Sequence, residues 1–215
     1  MITELIYSLV ILSNSSPLAI QAASSASVPT TLGSHTMPLN DRYSNEFVNT
    51  VFKDNILLTM AYMNGEVKSA NQIAWKAVEK PFSYEFSLKP NETFAFHDNM
   101  LPEYAKTVVK TTNAHFNYSD GFKSDGYLTG DGVCHLASLI YWVAKDAGLN
   151  AVAPSNHDFA VIPDVPKKYG VAIYEGPSGA GTMQNLYITN DKKFTVRFVF
   201  EYKDNALTLN IVEAK

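Results

Sequence analysis

The segment that most constrains this chain is Cys134 to Ala147, CHLASLIYWVAKDA. Its apolar positions 136, 139, 140, 143 and 147 form one stripe, and it stops at Gly148, where a left-handed terminator belongs. That pattern predicts a helix buried on one side. Downstream of it the elements are short: Ala151 to Ala153, Phe159 to Ile162, Val171 to Tyr174 and Leu186 to Thr189 read as strands. Phe194 to Tyr202 and Ala206 to Val212 read as a hairpin turned by Asp204-Asn205. Upstream, Phe47, Val48, Val51, Phe52, Leu58 and Met60 recur near a 3.6-residue period between a serine cap and Gly65, which predicts a second helix. Phe82, Tyr84, Phe86 and Leu88 alternate with polar residues, then Pro90-Asn91 turns the chain toward Phe94 and Phe96, and Lys106 to Thr112 is a further strand candidate. A cysteine-bearing helix packed on an antiparallel sheet makes this an α+β domain, expected over residues 46–215.

Composition narrows the function classes. Hydrophobic residues at 46% and aromatics at 12% of 215 residues exclude a disordered, collagen-like or coiled-coil chain. A net charge of −4, with no block of Lys or Arg, argues against a nucleic-acid partner, which needs many cations on one face. The single cysteine, Cys134, excludes an internal disulfide framework and zinc sites built on cysteine pairs. No run approaches the 18 apolar residues of a stable membrane span.

Residues 1–45 differ from the rest. Leu5 to Leu12 is a short apolar run, and Ser13 to Thr36 is rich in Ser, Ala, Thr and Pro, with small residues at Ser24-Ser25-Ala26 where a signal peptidase would cut. Against export, the first basic residue is Arg42 and Glu4 has the wrong sign. The segment reads either as a degraded export signal or as a disordered tail, and in both cases as lying outside the fold.

Gly130-Asp131-Gly132-Val133-Cys134 leads directly into the best helix. A thiol there faces free backbone N–H groups and the positive end of the helix dipole, which favour thiolate, and the glycines let a substrate carbonyl approach the backbone. Asp131 pulls the other way, because a nearby carboxylate raises a thiol pKa. The bland alternative is a small buried thiol that does no chemistry. A nucleophilic thiolate wants an imidazole partner and a polar group to orient it. His135, adjacent on the helix, projects on a different face from Cys134. His157, 23 residues downstream, can fold back over the helix start. Asp158, Asp164 or Asn185 could be the third member, and spacing does not choose among them. Cys134, His135, His157 and His115 show no metal-ligand spacing, so no metal and no cofactor is expected.

From about Phe86 to Asn190 the chain resembles the VanW-like family of bacterial cell-envelope proteins. Gly130-Asp131-Gly132-Val133-Cys134-His135, then a helix ending Asp146-Ala147-Gly148-Leu149, is similar to the family's Gly-Gly-Gly-Val-Cys-Gln and its helix ending Ala-Gly-Leu. His157 falls where the family has a histidine. Asn185-Leu186-Tyr187-Ile188-Thr189-Asn190 resembles its Asp-Leu-x-Phe-x-Asn strand, and Phe86-Ser87 its Phe-Ser strand. Asp131, His135 and Asn185 depart from the family's glycine, glutamine and aspartate, and Leu136-Ala137-Ser138 from its Ser-Thr-Thr. The order Cys, His, Asn also resembles transglutaminase-like and papain-like enzymes.

The resemblance implies an exported or envelope-associated protein linked to the cell wall and to glycopeptide resistance, with cytoplasmic residence left open. Together with the lone thiol it leads to the expectation of a cysteine-dependent amidohydrolase or acyltransferase acting on wall peptides. In that scheme Cys134 is the nucleophile, His157 the base and Asn185 its orienter, while Gly130, Asp131, Gly132 and His135 form the oxyanion or substrate loop. The rival expectation is a non-enzymatic module whose aromatic side chains bind wall glycan or peptide.

Overall fold

The computed structural model describes residues 29–127, 129–175 and 181–214. Two four-stranded sheets share one core. In the first sheet, strands β1 (Thr31–Pro38), β2 (Phe82–Leu88), β7 (Val196–Lys203) and β8 (Ala206–Glu213) run in the order β1-β8-β7-β2, all antiparallel. The second sheet contains β3 (Thr93–Ala95), β4 (Val108–Lys110), β5 (Asn150–Val152) and β6 (Tyr187–Thr189) in the order β4-β3-β6-β5. It is mixed, because β3 and β4 are parallel. The α+β class therefore holds, but the one antiparallel sheet expected is two, and one of them is not purely antiparallel.

Among the described residues the α-helices are α1 (Glu46–Asn64), the single turn α2 (Trp75–Val78) and α3 (Val133–Asp146). Helix α1 is capped by the Asn45 side chain, one residue beyond the serine expected, and ends on Gly65 in the left-handed region. Helix α3 carries Cys134 in its first turn and closes with the Leu149 N–H on the Ala144 carbonyl, Gly148 adopting φ 68°. It packs on β1 and β8 of the first sheet, on β5 of the second and on α1. Its apolar stripe, Leu136, Leu139, Ile140 and Val143, is fully buried.

The alternating aromatics of β2 face those of β7. Phe82, Tyr84 and Phe86 pair with Tyr202, Phe200 and Phe198, with ring centroids 5.7, 6.2 and 4.7 Å apart. These cross-strand pairs hold the edge strand by side-chain packing. The β7–β8 hairpin turns at Asp204 and Asn205, both at positive φ.

One boundary is corrected. Residues 31–45, expected outside the fold, include β1, which pairs along β8, and the buried Met37 and Leu39. The strand lacks a hydrophobic alternation because it lies so close to α3 that Gly33 is needed: a Cβ there would sit 2.6 Å from the Val143 carbonyl oxygen. His35 then stacks on Trp142 and pairs with Asp146 at 2.6 Å. The export-signal reading of Leu5 to Leu12 and Ser24-Ser25-Ala26 lies outside the described residues. Two strands expected downstream are also absent. Phe159 to Ile162 is irregular, and Val171 to Tyr174 contributes only an isolated bridge between Asn156 and Val171. None of the described helices is long and apolar enough to cross a membrane.

Candidate active site

A crevice of about 460 Å³ opens at the N-terminus of α3. Cys134, His157, Gly130, Asp131, Gly132 and His135, residues remote in sequence from one another or predicted only as a loop, all line it. Asn185 does not.

The folding-back expected of His157 has a specific cause. Residues 155–157 run antiparallel to 170–172, with the His157 N–H donating to the Gly170 carbonyl at 3.2 Å and the Ala172 N–H to the Ser155 carbonyl at 3.1 Å. Ser138 pins this pair to the helix: its Oγ accepts the Val171 N–H at 2.9 Å and donates to the Cys134 carbonyl at 2.7 Å. Two residues further on, Ile173 reaches the thiol, with its N–H 3.4 Å and its carbonyl oxygen 3.7 Å from Cys134 Sγ.

Burial dominates the chemistry of that thiol. Removal from water pushes Cys134 up to about 11; the Ile173 N–H counteracts this and the Asp131 charge adds to it. The thiolate that the helix terminus was expected to favour is therefore not the resting form. No hydrogen bond joins Cys134 to His157. The His157 Nδ1–H donates to the Ala160 carbonyl at 3.0 Å, which leaves Nε2 as the basic nitrogen. Burial lowers the His157 pKa, so the ring is neutral near pH 7 and able to accept a proton. Phe159 packs on it with centroids 4.0 Å apart.

His135 forms part of the floor. It is buried, its Nε2 lies 3.3 Å from the Tyr43 hydroxyl, and its Nδ1 is buried with no hydrogen-bond partner. Burial, reinforced by the charges of Arg42 and His157, drives its pKa well below the usual value and keeps it neutral. Asp131 accepts the Asp125 N–H at 3.0 Å and is raised to about 6, first by burial and then by the Asp125 charge. Gly132 is glycine for a packing reason rather than for substrate access. Its φ is 97°, and a Cβ would lie 2.6 Å from the Phe52 carbonyl oxygen of α1.

Asn185 is corrected. It is fully buried, and its Oδ1 accepts the N–H groups of Phe96, His97 and Leu186 while Nδ2 donates to the carbonyls of His97 and Asn99. It brackets the chain after β3 and touches no part of His157. The Ala160 carbonyl occupies the orienting role instead. Asn190, at the other end of β6, clips Leu88 and Phe194 in the same way. Both ends of that motif are architectural.

Sequence reasoning missed several wall residues. Tyr43 lay in the segment read as a tail, Phe159 and Ala160 in a segment read as a strand, and Glu175 carried no motif. His115 and Glu175, which line the crevice, meet Asp98, and the three offer one ligand atom each within 4.8 Å of one another. Glu175 is raised to about 7, first by burial, with His115 opposing and Asp98 adding to the rise.

The α+β scaffold presents one thiol and two neutral imidazoles, His135 and His157, in a shared crevice. The family is then given by comparison: the model described as VanW like protein matches residues 83–212, more than half of the chain, and the chain belongs to the VanW-like family. That span contains β3 to β7, all but one terminal residue each of β2 and β8, and the whole of α3, whereas β1 and the crevice walls Tyr43 and Phe52 lie outside it. No curated protein and no solved structure matches the chain. Family membership supports a cell-envelope association.

Proposed function

We propose that this protein is a thiol-dependent hydrolase or acyltransferase for amide bonds, with the peptide stems of peptidoglycan as its substrate class. The observation that carries the reading is the sharing of one crevice by the chain's single thiol and a neutral imidazole whose Nδ1–H is committed to Ala160. The resting thiol is protonated, so the proton moves only when substrate is bound: His157 Nε2 takes it as sulfur attacks the carbonyl carbon. His157 then returns that proton to the leaving amine, and a thioester on Cys134 remains. Water or an acceptor amine resolves the thioester and regenerates the thiol. The Cys134 N–H, at the open end of α3, and His135 are the donors available to the oxyanion.

The test is intact-mass spectrometry of the protein incubated with a wall stem peptide. An acyl adduct on Cys134 that is absent in Cys134→Ser supports the reading.

A second reading is favoured by the rim. Phe159, Val161 and Tyr174 are 72%, 84% and 52% exposed beside the crevice, a surface suited to stacking on wall glycan or peptide without chemistry. Full retention of muropeptide binding by Cys134→Ala, with no adduct on the wild type, would favour it.

A further inference from the structure

Asp98 follows β3, His115 lies between β4 and the 3-10 turn Tyr118–Asp120, and Glu175 follows the segment that contacts the thiol. Each offers one ligand atom, and these atoms lie within 4.8 Å of one another. Two observations beyond that proximity point to a cation. The first is outside the cluster: Asp120 Oδ2 accepts both the backbone N–H of His115, at 2.8 Å, and its ring Nδ1–H, at 2.9 Å. In the neutral ring this leaves Nε2 as the lone pair, the carboxylate–imidazole support that metal-binding histidines characteristically have. The second is Glu175 Oε2, a buried carboxyl oxygen with no hydrogen-bond partner. A buried acceptor without a donor is costly, and a cation would supply what is missing.

We propose that Asp98, His115 and Glu175 bind a divalent transition-metal ion of the zinc class. An imidazole nitrogen among the ligands disfavours calcium and magnesium, which take oxygen donors, and three protein ligands leave a fourth position open. His115 and Glu175 line the same crevice as Cys134. Zinc at bond lengths of about 2.0–2.2 Å requires the ligand atoms to draw in to roughly 3.4 Å of one another, a side-chain adjustment available to the exposed Asp98 and His115. Spacings as wide as 98, 115 and 175 leave no signature in the sequence.

The site does not depend on the thiol chemistry, and the experiment keeps the two apart. The full chain, stripped with chelator, is titrated calorimetrically with Zn²⁺ and with Mg²⁺. One Zn²⁺ per chain is expected, with no binding of Mg²⁺ at the same concentrations. Affinity falls about tenfold to a hundredfold in Asp120→Asn, which removes the support without removing a ligand, and further in Glu175→Gln. Cys134→Ser and His157→Ala retain wild-type affinity. Co²⁺ loaded into the wild type gives d–d absorption without a sulfur-to-cobalt charge-transfer band, a readout that needs no variant to fold. Absence of Zn²⁺ binding, a sulfur charge-transfer band, or loss of binding in Cys134→Ser with retention in Glu175→Gln would each overturn the proposal.

Discussion

Two polar regions of this molecule, one around Asn185 and one around the crevice, are built on opposite principles. Around Asn185 almost every hydrogen-bonding group is paired: Oδ1 takes three backbone N–H groups, Nδ2 reaches two carbonyls, and the neutral His97 ring spans from Asn185 to the Gln184 carbonyl. In the crevice, His135 Nδ1 and Glu175 Oε2 are buried without partners, the thiol meets the Ile173 peptide unit, and among the described residues no hydrogen bond reaches His157 Nε2. A satisfied polar network fixes the chain, while unsatisfied groups around an opening are free to act on something that enters it. The family motif runs through both regions, so motif residues here divide into builders and candidate actors.

The largest effect that would sharpen this contrast is on stability. Replacing Asn185 with Leu strands the buried N–H groups of His97 and Leu186, the Phe96 N–H keeping the Leu186 carbonyl, and should cost about 2 kcal/mol or more, read as a drop in thermal or denaturant midpoint. Thiol reactivity in the folded fraction should stay the same. A changed pH profile for Cys134 in that variant would mean that Asn185 does orient the imidazole after all, and the division would break.

Next in size, His157→Ala should slow acylation of Cys134 by about a hundredfold, the usual worth of a positioned base, with little change in unfolding midpoint. In the wild type, acylation should fall on the acid side as His157 takes up its proton. Because burial lowers its pKa, that fall should come below the ordinary value of 6.5. A midpoint above 6.5 would show the ring to be stabilised as a cation, contrary to its surroundings.

A smaller effect is expected at Asp131. Its folded pKa of about 6 exceeds the ordinary 3.8, so the native state holds that proton more tightly than the unfolded chain does. The resulting stability is complete below pH 3.8 and is lost as pH rises through 6. Asp131→Asn should therefore be more stable than the wild type at pH 8, by about 1 kcal/mol once solvent screening of a half-exposed group is allowed for, and the difference should vanish near pH 3.5. The same variant should bring the thiol pKa down from about 11, since the Asp131 charge helps raise it. Equal stability at both pH values would contradict the assignment.

Much of this was legible in the residues. The stripe of α3, its glycine stop, the aromatic alternation of β2 and the final hairpin each carry a local signal that packing then exploits. The gathering of Cys134, His157 and the 130–135 loop also followed from chain order. What was not legible depended on close approach rather than on pattern. Strand β1 buries Gly33 where an aliphatic residue would have announced it, because α3 leaves no room for a Cβ. Gly132 looked like an opening for substrate and is a contact with α1. The orienter of His157 is a backbone carbonyl, which no side chain betrays, and so Asn185 was assigned a role that its buried hydrogen bonds preclude. The helix dipole suggested a thiolate, but burial of the sulfur outweighs it.

The most direct test is the intact mass of the protein after reaction with a wall stem peptide, wild type against His157→Ala, near pH 7. The account predicts a thioester adduct mapped to Cys134 in the wild type and its near-loss without the imidazole. An adduct that accumulates equally in both, or no adduct in either while the peptide still binds, would contradict it.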